Sequence, residues 1–317
     1  MAEVNEIDLK QAKSVSLTTL VDNYSDVLLP NEEHVERAPL IKEGMRTKPL
    51  LAEHGFSLMI EVIDNLEHHN IIMDFGVSDI AMPHNMSVLE VDVAKVEAFI
   101  ISHGHHDHIG AIREVLNALP KPAEVIVHPN AFLENRMHKF PDGKEVPIPS
   151  LRRESIKPLG CSIVQVVSPT LLANGCIATL TDIPRVTDYE KGLPNAYYKE
   201  DGIFRKDEIK DDQGLVINIR DKGLVVITGC GHSGIINTIR YAQKITGVEK
   251  IYAVIGGFHL NGPYFEAIIP QTVEDIKRFS PKVIVPCHCT GWEAINEFKK
   301  AFPNNFFLNS VGTKIVL

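Results

Sequence analysis

Ile100-Ile101-Ser102-His103-Gly104-His105-His106-Asp107-His108-Ile109-Gly110 is the stretch on which the fold turns. Four imidazoles and a carboxylate fall within positions 103–108, directly after the apolar run Val96 to Ile101 and directly before a helical pattern from Ala111 to Leu119. That order predicts a buried strand that delivers the cluster to a sheet edge and a helix that closes it. In an extended segment alternate side chains point the same way, so His103 and His105 can share one ion. A turn over 104–107 then brings Asp107 and His108 back towards it. Neutral imidazole and carboxylate suit zinc, manganese or iron. The alternative, a solvated histidine run, would not sit between a buried strand and a helix.

The remaining histidines in comparable places lie further along. Gly229 to Gly234 interrupts a strand, and Ile235, Ile236, Ile239, Ala242 and Ile245 follow with helical period. A glycine-rich turn at a helix start offers backbone N–H groups to an anion, which marks Gly231, Ser233 and Gly234 as an anion cradle and His232 as a ligand. The strand Ile251 to Ile255 runs into Gly256-Gly257-Phe258-His259, and Val283 to Val285 runs into His288. Open α/β sheets place their sites at such strand ends. His288 is a further metal ligand, and His259 is left as a metal or substrate contact. Cys287 and Cys289 flank His288 on opposite strand phases, so both cannot face one ion without a bulge.

His103-x-His105-x-Asp107-His108 resembles the signature of the metallo-β-lactamase superfamily. The resemblance runs from about Leu17 to the C-terminus, through Thr18-Thr19-Leu20-Val21-Asp22-Asn23, Glu53-His54-Gly55-Phe56-Ser57, Thr228-Gly229-Cys230-Gly231-His232-Ser233-Gly234, Gly256-Gly257-Phe258-His259-Leu260 and Pro286-Cys287-His288-Cys289-Thr290-Gly291. These segments are similar to the branch labelled after 7,8-dihydropterin-6-methyl-4-(β-D-ribofuranosyl)aminobenzene 5'-phosphate synthase. The resemblance implies an α/β four-layer αββα sandwich with one or two divalent ions, zinc foremost, at the shared edge of two sheets. It implies that Asp74, in Asp74-Phe75-Gly76, supports the metal loop from behind, although Phe75 departs from the superfamily's Asp-Thr-Gly. Many members place a metal-bridging Asp where this chain has Cys230. That leaves Cys230 either a thiolate ligand or an inert buried thiol, and the second ion weaker than the first.

Composition narrows the function. The chain has 317 residues with 44% hydrophobic content, enough for one large core, and a net charge of −9 that gives nucleic acid no basic field to bind. No apolar run reaches membrane-spanning length, and five scattered cysteines fit a reduced, cytoplasmic setting. Residues 1–14 read as a flexible lead-in and 15–317 as a single domain. Residues 27–51, with three prolines and many charges, read as a long loop near the site. Residues 182–212 are long, aromatic-bearing and poorly periodic, and are expected as a lid over the site.

The expected function is a metal-dependent hydrolase that turns a metal-activated water on an ester, lactone or phosphoester of a small anionic molecule. Asp107 is its candidate proton acceptor, as well as a candidate ligand. The alternative is a branch-like transferase that joins a dihydropterin diphosphate to a ribosyl-aminobenzene phosphate. A flavodi-iron-like redox centre is disfavoured, because redox members of the superfamily typically carry Glu where this chain has His105.

Overall fold

The structure, a computed structural model, describes residues 6–65 and 67–317. Two mixed sheets face each other. The first runs in the order Ser162–Gln165, Glu124–Val127, Val96–Ile101, Glu67–Met73, Ser57–Asp64, Ser14–Val21, Lys314–Val316, Val35–Glu36. The second runs Leu171–Leu172, Ile177–Leu180, Gly214–Ile219, Gly223–Thr228, Ile251–Gly257, Val283–Cys287, with Gln11–Ala12 added alongside Gly214–Ile219.

Side-chain alternation turns these sheets into layers. Leu17, Ile60, Ile71 and Ile100 from the first sheet pack against Ile217, Val225, Ile227 and Ile255 from the second, forming the central core. The intervening residues face outward. Val216, Val226 and Val254 meet Ile235, Ile239, Val273 and Phe298 on the helices Ile235–Thr246, Ile269–Phe279 and Trp292–Ala301. Ile72, Phe99 and Val125 meet Met82, Met86, Ile112 and Leu116 on Ala81–Val88 and Ile112–Asn117. The result is the four-layer αββα sandwich that the repeated strand, histidine loop and helix pattern predicts. Strands buried on both faces explain the near-continuous Val/Ile/Leu runs, since each residue meets either the other sheet or a helix.

Two expectations need correction, and a third gains detail. Met1 to Asn5 lie outside the described residues, but the rest of the supposed lead-in is tied down. Ile7 N–H donates to the Ile245 carbonyl at 2.7 Å, and Gln11–Ala12 pairs in parallel with Asn218 and Ile219. Residues 27–51 line no part of the histidine cleft, and carry instead the short hairpin Ile41–Lys42 and Met45–Arg46. Residues 182–212 are not a plain loop. Ala196–Glu200 and Ile203–Lys206 join Arg136–Lys139 and Glu145–Pro147 in a separate four-stranded sheet, which forms a canopy beside the histidine edge. Its half-exposed strands lack the long apolar alternation that a sequence pattern needs.

Candidate metal centre

The strand Val96–Ile101 ends at Ser102, and a single turn over His106–His108 doubles the chain back. The loop is held by its backbone. Phe56 N–H donates to the Asp107 carbonyl at 3.1 Å, Phe75 N–H to the His108 carbonyl at 2.8 Å, and Gly104 N–H to Asp211 Oδ2 at 2.8 Å. Position 104 has no room for a side chain, because a Cβ would lie 2.2 Å from the Ala131 carbonyl oxygen.

Asp74 is fully buried with φ at 65°, and it sets the orientation of two imidazoles. Its Oδ1 accepts the Ser102 N–H at 2.7 Å; its Oδ2 accepts the Ser102 hydroxyl at 2.7 Å and lies 2.7 Å from His108 Nδ1. His108 therefore donates from Nδ1 and turns Nε2 into the site. Ser102 Oγ in turn lies 3.0 Å from His103 Nδ1, which assigns the same tautomer to His103. Burial opposes a charge on His108, but Asp74 and Asp107 outweigh it and raise it to about 9. His103 and His232, buried among other imidazoles, are pushed well below the usual value. His105 falls to about 3 through burial and the nearby Arg136. These three are neutral, the form that ligates.

The expected ligands converge in two groups that meet at Cys230. In one, His103 Nε2 and His232 Nε2 are 3.2 Å apart, the His105 ring lies 4.5 Å and 4.9 Å from theirs, and His105 Nε2 is buried with no hydrogen-bond partner. In the other, Asp107 Oδ2 lies 3.4 Å from His288 Nε2 and 3.7 Å from His108 Nε2. Cys230 Sγ is 3.2 Å from His108 Nε2 and 3.4 Å from His288 Nε2, and within 4.8 Å of His103 and His232 nitrogens as well. Two donors about 2.1 Å from one tetrahedral ion stand about 3.4 Å apart. The observed spacings, the unpartnered His105 Nε2 and the neutral imidazoles all fit divalent metal. Burial, with Cys289 beside it, pushes the Cys230 thiol up, so its proton leaves only when a cation takes its place.

Other elements fix the remaining groups. His288 is held at φ 50°, with its N–H on Asp22 Oδ1 at 2.9 Å and its Nδ1 3.3 Å from Asn23 Oδ1, so Nε2 faces inward. The turn His288–Thr290 breaks strand alternation, sending Cys287 into the inter-sheet core and Cys289 into the site. His259, at φ 45°, has its ring centroid 4.3 Å from that of His232 at a tilt of 53°, and a ring nitrogen within 4.8 Å of the Cys230 and Cys289 sulfurs.

The predicted anion cradle is not free. Ser233 N–H donates to Asp212 Oδ2 at 2.8 Å, Gly234 N–H to the Gly231 carbonyl at 2.9 Å, and Ile236 and Asn237 N–H to the Glu190 carboxylate at 2.9 Å each. The helix start is already neutralised by the chain's own carboxylates, and a Cβ at Gly234 would fall 2.3 Å from Glu190 Oε2. Ser233 and Gly234 shape the His232 turn and are withdrawn as anion donors, while Gly231 accepts at its carbonyl from Gly234 N–H.

The segment that supplies Glu190 also holds what sequence reasoning missed. Asp211 accepts Gly104 N–H from the first histidine loop and forms a buried pair with Arg136, whose Nη2 lies 2.5 Å and Nη1 3.0 Å from its oxygens. Asp212 holds the His232 turn, and Gln213 N–H donates to the Ser102 carbonyl at 2.9 Å. Arg136 Nε also lies 2.9 Å from Asp207. Consecutive residues thus clamp both histidine loops and the canopy. Buried charges separated by many residues leave no local pattern, so only the run Asp211-Asp212 could have flagged them.

The site floors a cleft of about 1210 Å³. His54, whose Nε2 is 3.7 Å from Asp107 Oδ2, stands at its mouth together with His106. His138, Leu193, Pro194 and Tyr197 of the canopy form one wall, and Asn261, Tyr264 and Phe265 the other. Among the described lining residues Asp107 is the sole carboxylate, despite the chain's net charge of −9.

A sandwich with its histidine loops at one shared edge defines a class, and comparison with known proteins agrees. The chain belongs to the metallo-beta-lactamase superfamily, whose match spans residues 57–243. It is 30% identical over 260 residues to the 7,8-dihydropterin-6-methyl-4-(beta-D-ribofuranosyl)-aminobenzene-5'-phosphate synthase of Methanocaldococcus jannaschii, covering 81% of this chain and 88% of that one. An uncharacterised protein of the same organism is 30% identical over 276 residues, covering 86% and 97%. Among solved structures, Tm1679, described as a metal-dependent hydrolase of the beta-lactamase superfamily, superposes with a TM-score of 0.72 at 24% identity over 95% of this chain and 98% of that one. YhfI of Bacillus subtilis, a metallo-beta-lactamase fold protein, gives 0.51 at 12% identity over 96% and 100%. No helix among the described residues is long and apolar enough to cross a membrane.

Proposed function

We propose that this chain is a metal-dependent hydrolase in which His103, His105 and His232 hold one divalent ion, Asp107, His108 and His288 a second, and Cys230 stands at their common corner. One observation carries the reading: six candidate donors from three separate loops converge on the floor of a wide cleft, five of them at ligand spacing around Cys230 and the His105 ring beside His103 and His232. Zinc suits the set best, with manganese or iron as alternatives. Such ions supply Lewis acidity and lower the pKa of water.

The protein's share is orientation and charge. Asp74 and Ser102 aim His103 and His108, and Asn23 aims His288. Burial alone would raise the Asp107 carboxyl, but His108 and His288 outweigh it and hold it well below the carboxylate range. Asp107 Oδ2, 3.4 Å from His288 Nε2 and 3.7 Å from His108 Nε2, would stand among the ligands of the second ion and is also the nearest carboxylate to accept a proton there. Proton transfer at the mouth falls to His54, more than half exposed and facing Asp107. With a single carboxylate in its lining, the cleft suits an anionic ester, lactone or phosphoester. Five free thiols suit a reducing, cytoplasmic setting.

A second reading is the transferase that joins a dihydropterin diphosphate to a ribosyl-aminobenzene phosphate. It is favoured by the 30% identical synthase and by a cleft of about 1210 Å³, above the roughly 300–1,000 Å³ of most single-ligand pockets.

The test is to load the reduced protein with zinc or manganese. It is then assayed on lactones, phosphodiesters and phosphomonoesters, and separately on the pterin diphosphate with its aminobenzene partner. Hydrolysis that disappears with chelator and in His103→Ala supports the first reading, whereas condensation without hydrolysis supports the second. A chain that binds no ion at all would overturn both.

A further inference from the structure

Beyond the six His and Asp donors, a second set of groups converges from the far side of Cys230. The sulfurs of Cys230 and Cys289 and a ring nitrogen of His259 all lie within 4.8 Å of one another, and all three residues line the cleft. Each arrives by a special backbone feature. Cys289 is turned inward by the His288–Thr290 turn, and its thiol donates to the Cys230 carbonyl at 3.3 Å. Gly257 clears the way for it, since a Cβ there would lie 2.7 Å from Cys289 Sγ. His259 sits at φ 45°, a strained conformation for a non-glycine residue that persists where the surroundings require it. Its Nδ1 is buried with no hydrogen-bond partner.

We propose that Cys230, His259 and Cys289 form a thiol-rich cation site that opens on the cleft and takes a borderline or soft ion, zinc first. Two thiols, one imidazole and an open fourth position are a donor set that holds catalytic zinc, and thiolates select zinc over magnesium, calcium or manganese. Each thiol gives up its proton on ligation, so an ion entering this site displaces the S–H hydrogens of Cys230 and Cys289 to solvent. Cys230 also belongs to both His/Asp groups, so its sulfur bridges outward from them and the new site is continuous with the old. The inference rests on the metal-centre reading for the neighbouring ions, and adds to it a sulfur-ligated position that neither His/Asp group requires. Cys289 is the diagnostic residue, because it belongs to neither.

The experiment uses the full chain, reduced and handled without oxygen, loaded with zinc for X-ray absorption and with cobalt(II) as an optical probe. The wild-type protein is expected to show Zn–S scattering at about 2.3 Å beside the Zn–N/O shell, and a sulfur-to-cobalt charge-transfer band. C289S is expected to lose one of the two sulfurs and the most weakly held equivalent of ion, while the ions at the His/Asp groups stay. C230S is expected to lose all sulfur ligation. A wild-type zinc shell of nitrogen and oxygen only overturns the site and leaves the metal enzyme standing, as does a C289S sulfur signal equal to that of wild type. Because the wild-type spectrum decides first, a variant that fails to fold does not rescue the idea.

Discussion

Asp74 and Cys230 stand on opposite edges of one imidazole: Asp74 Oδ2 lies 2.7 Å from Nδ1 of His108, and Cys230 Sγ lies 3.2 Å from its Nε2. The carboxylate decides which nitrogen keeps the proton, and so which one is offered to a cation. Through Ser102 the same carboxylate reaches His103.

Asp74→Asn keeps the shape but removes the charge and one acceptor. Metal affinity is expected to fall about 10–100-fold, read by competition with a chromophoric chelator. An unchanged affinity would show that Ser102 and packing orient the histidines unaided.

Arg136→Met should be strongly destabilising. It leaves the buried Asp207 and Asp211 without their cation, at a cost of about 3–5 kcal/mol. Urea unfolding of the metal-free protein measures this, and a loss under about 1 kcal/mol would mean that water reaches the carboxylates.

Glu190 provides the pH test. Burial raises its carboxyl from 4.5 to about 7, against the pull of the Ile236 and Asn237 amides. The folded state therefore holds this proton more tightly than the unfolded chain. Its contribution is fully present below about pH 4.5 and is lost as pH climbs through about 7. Relative to Glu190→Gln, which stays neutral, the wild-type protein should lose roughly 1–3 kcal/mol across that window. Parallel stability curves for the two proteins would refute the assignment.

Gly104→Ala places a Cβ 2.2 Å from the Ala131 carbonyl oxygen. The loop must move, taking His103 and His105 with it. Far-ultraviolet circular dichroism should remain close to wild type while bound metal per chain, measured by elemental analysis, drops. Full metal content in this variant would mean that the strand Glu124–Val127 and its following turn yield instead.

The sandwich and the convergence of the six His/Asp side chains were legible because each is a local pattern: an apolar strand, a histidine at its end, a helix after it. The canopy was not, since Arg136–Lys139 pairs with Ala196–Glu200, some 60 positions later, and the canopy's short strands carry no regular apolar alternation. The role of Ser233 and Gly234 was misread for a related reason. A glycine-rich helix start invites an anion, but sequence does not say that Glu190 and Asp212 already occupy it. Asp22 and Asn23 were visible only as part of a resemblance, and their hold on His288 spans 265 positions.

The adjacency of Asp211 and Asp212 has a mechanical consequence. One grips the loop of the first sheet at Gly104, the other the loop of the second at Ser233. Neighbouring Cα atoms are fixed about 3.8 Å apart by a planar peptide. The gap between the two halves at the histidine edge is therefore gauged by a single rigid peptide unit, and breathing of one sheet against the other is stopped where the donors must keep their spacing. Inserting one residue between the two aspartates would lengthen that gauge without touching any donor, and would let the halves drift out of step.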